Sequence, residues 1–219
     1  MSEDRPSPFR LVATLSAAGL AAGLVLVGVY LPTKPLIERH RAAAMRAAVL
    51  QVLPGTERIS ALVARDGELV PHEDSSGVVA TGEGVFAGFS GDGSLIGYAV
   101  PADGPGYMDT VSLIYGIDPE RRLVLGMQVL DSRETPGLGD KIIYDERFHE
   151  NFEALAVEPE IEPVKRGDKT QPNQVDCITG ATISSEAVVS ILNRSWQQWL
   201  PTLEASDPAA GGETDEPGS

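Results

Sequence analysis

Residues 110–130 read TVSLIYGIDPERRLVLGMQVL, and their pattern sets the architecture. Val111, Leu113 and Tyr115 alternate with Ser112, Ile114 and Gly116, the period of two that sends successive side chains to opposite faces of a strand. Asp118-Pro119-Glu120 is turn chemistry and Leu123-Val124-Leu125 follows at once, so the segment predicts an antiparallel hairpin. The signature spreads outward on both sides. Ala61–Ala64, Val78–Ala80, Val85–Ser90, Leu95–Val100 and Leu123–Leu130 are short β-like runs, separated by clusters such as Gly91-Asp92-Gly93.

Helical spacing returns at Phe148–Ala156 and, more strongly, over 182–200, where Ile183, Ala187, Val188, Ile191, Leu192, Ser195 and Trp199 fall on one stripe. Trp196 and Trp199 therefore read as packing or interfacial residues rather than redox relays. Upstream, residues 11–31 read LVATLSAAGLAAGLVLVGVYL, an uncharged run long enough at 1.5 Å per residue to cross a hydrocarbon core of roughly 30 Å. It exceeds the 7–15 apolar residues or so of a signal peptide and lacks a clearly basic leader, so it reads as a retained anchor. A helix continues over 33–53, with Thr33 as its cap and Pro35 in its first turn, until Pro54-Gly55 stops it. The layout expected is a tail (1–10), a transmembrane helix (11–31), a juxtamembrane helix (32–55), a folded domain (56–203) and a disordered acidic tail (204–219). The fold class is α+β: one N-terminal transmembrane helix, then a mixed α/β domain with an antiparallel sheet.

Composition narrows the function. The 219 residues carry a formal charge of −15, which repels phosphate backbones and argues against nucleic-acid binding. One cysteine excludes an internal disulfide, a zinc ribbon, a Cys-ligated iron–sulfur cluster and a Cys-x-x-Cys redox pair. No metal-ligating set is read in the chain. Cys177 reads as a small space-filler, since nothing around it in sequence argues for an activated thiol.

Two segments look chemical. Asp176-Cys-Ile-Thr179-Gly180-Ala181-Thr182-Ile-Ser-Ser185-Glu186 places Gly and small residues at a helix start, where free amides and the helix dipole accept a phosphate. The alternative is an ordinary helix capped by Thr182 with a polar first turn. Glu134-Thr135-Pro136-Gly137-Leu138-Gly139-Asp140-Lys141 carries two glycines that let backbone press close to a flat ligand, with Thr135, amides and Lys141 as hydrogen-bonding groups. Its alternative is a turn that closes a strand and opens a helix near Ile142.

Taken together and in this order, the two motifs resemble the FMN-binding domain family, and within it the G-subunit branch of the Rnf electron-transport complexes. The C-subunit branch of the sodium-translocating NADH:quinone reductases is a near relative. The resemblance covers essentially the whole chain. It implies FMN joined to Thr182 by a phosphoester bond (phosphothreonyl-FMN), with Asp176, Thr179 and Gly180 forming the surface that a flavin transferase recognises and Ala181 among the cofactor-binding residues. It implies that Glu134, Thr135, Leu138, Gly139 and Lys141, with Tyr107, flank the flavin. It implies a flavoprotein in electron transport, a redox subunit and not a stand-alone catalyst, with no general acid, base or nucleophile of its own. Its partners would be the integral and peripheral subunits of a complex that couples ferredoxin–NAD electron transfer to ion translocation. Asp109 stands where relatives often have Gly, and a carboxylate beside the flavin would lower its potential. The location implied is the bacterial inner membrane with the body on the periplasmic side. The charges oppose that orientation: Arg5 and Arg10 precede the span, whereas Lys34, Arg39, Arg41 and Arg46 follow it. A quinone-reductase subunit, a flavin-binding sensor or regulatory module, and a membrane-tethered structural protein are the competing readings.

Overall fold

The computed structural model describes residues 8–72, 79 and 81–206. Helix α1 (Pro8–Val52) is continuous. Thr33 is therefore no cap: its hydroxyl donates to the Val29 and Tyr30 carbonyls inside the helix, which runs on past position 35. The Leu, Val and Tyr side chains between Leu11 and Leu31 are half or more exposed, and this is the one described helix long and apolar enough to span a membrane. The chain divides after Ala43, so the last turns of α1 belong to the folded body.

That body is built on seven strands: β1 (Arg58–Arg65), β2 (Glu68–Pro71), β3 (Gly84–Phe89), β4 (Leu95–Pro105), β5 (Thr110–Asp118), β6 (Leu123–Ser132) and β7 (Leu155–Ala156). They form one antiparallel sheet in the order β2-β1-β3-β4-β5-β6-β7. The 110–130 hairpin is present as read, with Asp118 facing Leu123 across the turn. A separate parallel pair joins β8 (Glu162–Val164) to β9 (Gln174–Asp176). Short helices α2 (Lys141–Tyr144) and α3 (Glu146–Glu150) follow β6, and α4 (Thr182–Ala205) closes the fold.

The alternation of β5 explains the layering. Val111, Leu113, Tyr115 and Ile117 enter the larger core, which α4, Phe148 and Phe152 complete. Ile114 faces the other way, into a core shared with Ala48, Val49, Val52 and Leu53 at the end of α1. There the helix lies so close that a Cβ at Gly116 would stand 2.0 Å from the Val52 carbonyl oxygen. Gly88, Gly97 and Gly126, on the neighbouring strands, leave similar room for Val52 and Leu53.

Several boundaries differ from the sequence reading. Phe148–Ala156 is not one helix. It begins in α3, whose Asp145 cap accepts from the Phe148 amide, then passes through turns with Ala154 at positive φ into β7. The apolar residues there pack one by one from a winding segment, which imitates helical spacing. Positions 78 and 80 of the expected Val78–Ala80 strand lie outside the described residues, and Val79 is buried without being in a strand. Strands β2, β7, β8 and β9 are too short for a periodic signal. Glu204 and Ala205, expected in the tail, are helical, and Glu204 accepts from Arg122 Nη2 at 2.7 Å. Residues 207–219 lie outside the described residues.

Candidate functional site

Three loops meet beside the start of α4. The tip of the β4–β5 hairpin is a turn in which the Gly106 amide donates to the Asp109 carbonyl at 2.8 Å, leaving Tyr107 and Met108 exposed. The loop after β6 folds through Leu138 N–H to Thr135 carbonyl (3.1 Å) before entering α2. The third is the Ile178–Ala181 turn, in which Gly180 at φ +83° adopts a conformation that suits glycine. Together they enclose a cleft of about 300 Å³. Tyr107 forms one side, Thr135, Leu138 and Gly139 a second, and Gly180 to Ser184 the third.

The opening of α4 sets the chemistry of the third side. Ala181 is its N-cap and gives no side-chain cap bond, so Thr182 is the first helical residue and not the cap. The Ser185 amide makes the first i→i−4 bond, to the Ala181 carbonyl at 2.9 Å. The amides of Thr182, Ile183 and Ser184 therefore precede the helical ladder, at the positive end of a 24-residue helix. Thr182 is exposed, and Tyr107, Leu138 and Ile183 are 61%, 51% and 55% exposed around the same cleft. A largely apolar rim with the exposed Thr182 hydroxyl and a row of amides suits a ligand that has a flat ring at one end and an anion at the other. Lys141 Nζ lies 4.0 Å from where a Cβ on Gly180 would stand, which brings a cation to the turn before Thr182.

Seven of the expected residues thus share the cleft: Tyr107, Thr135, Leu138, Gly139, Gly180, Ala181 and Thr182. Others do not line it. Glu134 is only 4% exposed and turns inward, where Oε1 accepts from the Met108 amide (2.9 Å) and Oε2 from Ser184 Oγ (2.6 Å). Burial alone would raise its carboxyl, but these hydrogen bonds outweigh it and hold the group below its ordinary value. Asp176 lines a different hollow, beside Asn151, and its Oδ1 accepts from the Gly167 and Lys169 amides at 3.1 and 3.2 Å. Thr179 is exposed on the turn but outside the cleft lining. Asp109 accepts from the Thr110 amide and pairs with Arg133 at 3.7 Å, also off the cleft. Cys177 is buried, and burial, with Glu186 and Asp176 nearby, pushes its thiol up to about 11.

Ile183 and Ser184 line the cleft, a role that sequence periodicity does not give them. The spacing over 182–200 puts Ile183 on the buried stripe of α4, yet the stripe runs through Ser184, Ser185, Val188, Ile191, Leu192, Ser195 and Trp199. The signal that separates the two is the spacing from Ser184: i, i+4, i+7, i+11 and i+15 keep one face, which leaves Ile183 outside it. The larger hollows, about 850 Å³ beside Tyr98 and Arg122 and about 710 Å³ beside Pro159 and Arg194, contain none of the expected residues.

Residues 106–197, which include both motifs and every wall of the cleft, match the family model described as an FMN-binding domain. The G subunit of the ion-translocating oxidoreductase complex of Aliivibrio fischeri is 32% identical over 197 residues, covering 86% of this chain and 91% of that protein. This chain belongs to the G-subunit family. The G subunit of the Na(+)-translocating ferredoxin:NAD(+) oxidoreductase complex of Acetobacterium woodii, another member, is 30% identical over 191 residues, covering 86% of this chain and 90% of its own. Among solved structures, Shewanella oneidensis NqrC aligns with a TM-score of 0.63 at 17% identity, over 75% of this chain and 98% of that one. At that identity the likeness is one of fold: this chain and NqrC share the mixed α/β body with its antiparallel sheet.

Proposed function

We propose that this chain is the membrane-anchored FMN subunit of an ion-translocating oxidoreductase complex, with the flavin joined to Thr182 through a phosphoester. The observation that carries the attachment is the placement of Thr182: an exposed hydroxyl on the first residue of α4, inside a cleft walled by both motifs. The residues suit the group. The Thr182–Ser184 amides and the α4 dipole would hold a phosphodiester on Thr182, with Lys141, near Gly180, supplying positive charge. Tyr107, Leu138 and Ile183 would offer an apolar edge to the ring and shield one side of it from water. When bound, FMN supplies one- and two-electron transfer, while the chain binds, orients and shields it. A tether also fixes the effective concentration of the cofactor at its site.

The other subunits of such a complex are the partners, with ferredoxin–NAD electron transfer coupled to ion movement, as the name of the Acetobacterium relative states for its own complex. The G-subunit relatives of Acetobacterium woodii and Aliivibrio fischeri, 30% and 32% identical, support the G-type complex over the quinone-reductase branch. A separate flavin transferase would install the group, reading Asp176 together with the exposed Thr179, Gly180 and Thr182. In this reading α1 to about residue 31 lies in the membrane, and the body, which begins with the last turns of α1, lies in the periplasm, the side that the family resemblance implies. External protease should then cut the body in spheroplasts, and protection of it would reverse the orientation.

The attachment is tested by intact-mass spectrometry of the full chain from a host that has a flavin transferase. Wild type should carry one FMN that survives acid denaturation, and Thr182→Val should carry none. A wild-type mass without FMN, or a Thr182→Val chain that retains it covalently, would refute the assignment.

A further inference from the structure

The residues around the cleft pose a problem that the attachment alone does not answer: what holds its walls together. Tyr107 sits on a hairpin tip and Thr182 on a helix, 75 positions later in the chain, and among the described residues no backbone hydrogen bond joins one loop to the other. One side chain bridges them. Glu134 Oε1 accepts from the amide of Met108, next to Tyr107, and Oε2 accepts from the hydroxyl of Ser184, two residues past Thr182. The partners lie 26 residues before and 50 residues after it. We infer that Glu134 is a positioning residue: its buried carboxylate latches the β4–β5 tip to the first turn of α4 and so sets the spacing between Tyr107 and Thr182.

The surroundings of the carboxylate are built around it. A Cβ on Gly106 would stand 2.5 Å from Oε1, and one on Gly139 would stand 2.6 Å from Oε2 and 2.7 Å from Ser184 Oγ. Both flanking loops therefore approach the carboxylate as bare backbone. Two donors converge on the group, and an ionised carboxylate accepts from both. Its charge also lies at the start of α4, where the N-cap Ala181 offers no capping side chain. Glu134 lines no part of the cleft, so its role is exerted through Tyr107, Gly139 and Ser184, which do.

Glutamine at this position separates geometry from charge. Its oxygen can accept from Met108 while its amide donates to a rotated Ser184 hydroxyl, which keeps the bridge. Alanine removes both arms. The first measurement is made on full-length protein in detergent, produced without a flavin transferase. Amide exchange of the 105–110 segment should be about 10- to 100-fold faster in Glu134→Ala, as expected for loss of a hydrogen bond to a charged group, and near wild type in Glu134→Gln. The β5 and β6 amides serve as the control for an intact fold. Should Glu134→Ala lose that fold, Ser184→Ala, which cuts one arm, should still accelerate the 105–110 amides severalfold. Wild-type exchange in Glu134→Ala, or in Ser184→Ala where the former does not fold, overturns the latch, as does failure of glutamine to restore protection. The second measurement rests on the proposed FMN attachment. In loaded protein, flavin fluorescence anisotropy should fall in Glu134→Ala and recover in Glu134→Gln. An unchanged anisotropy in Glu134→Ala also counts against the latch. Absence of FMN from wild type would refute the attachment and leave the exchange measurement to decide the latch.

Discussion

Gly116→Ala offers a direct test of how the helix that enters the body is seated. The added methyl would meet the Val52 carbonyl oxygen at 2.0 Å and the Leu53 Cδ2 atom at 2.8 Å. The first neighbour is backbone at the end of α1 and cannot rotate away. Reaching an ordinary contact distance requires the helix end to rise from the sheet by about 1–1.5 Å. Overpacking of this kind costs about 1–3 kcal/mol. Ala48, Val49, Val52 and Leu53 are all at most 2% exposed, so lifting them partly reopens an apolar interface. Losing half the burial of Val52 and Leu53 adds about 1.5–3 kcal/mol. The expected destabilisation is about 3–5 kcal/mol, a fall in Tm on the order of 10 °C for a body of this size. Thermal unfolding of the full chain in detergent, followed by circular dichroism, measures it. Gly28→Ala is the control, because nothing lies within 4 Å of its Cβ position, and it should leave Tm unchanged or slightly raised. A Gly116→Ala protein within about 0.5 kcal/mol of wild type would show that the seating of Val52 on β5 is not as described.

Tyr115 is fully buried and its hydroxyl donates to Ser195 Oγ at 3.1 Å, so Tyr115→Phe should cost about 1 kcal/mol in thermal or denaturant unfolding. Burial raises the Tyr115 phenol well above its ordinary value of 10.0, which makes its contribution fully present below pH 10 and progressively lost above it. The wild-type melting temperature should therefore fall more steeply than that of Tyr115→Phe as pH is raised past 10, and parallel profiles would contradict this. Burial holds the Cys177 thiol up to about 11, so iodoacetamide at pH 7.5 should label native protein slowly and unfolded protein fast. Equal labelling rates in the two states would place Cys177 at the surface.

The local signals in the chain are those that need no partner. The alternation of Val111, Leu113 and Tyr115 fixed a strand and its inward face, and the turn at Asp118 fixed its neighbour. The uncharged run from Leu11 to Leu31 fixed a helix that exposes apolar side chains, and the spacing over 182–200 fixed the long final helix. The two motifs were enough to mark two of the three loops that meet at the cleft.

Tertiary structure decided which way the individual side chains of those loops face. Glu134 and Thr135 are adjacent in the same motif, yet one is buried under the cleft and the other lines it. Asp176 turned to cap the Gly167 and Lys169 amides, and Ile183 turned outward while Ser184 turned in. Periodicity assigns a residue to a face, but a buried carboxylate is stable only where donors converge on it, and the donors for Glu134 come from Met108 and Ser184. Those three residues are brought within hydrogen-bonding distance by the sheet and the packing of α4, a fact of three dimensions that no stretch of the sequence contains.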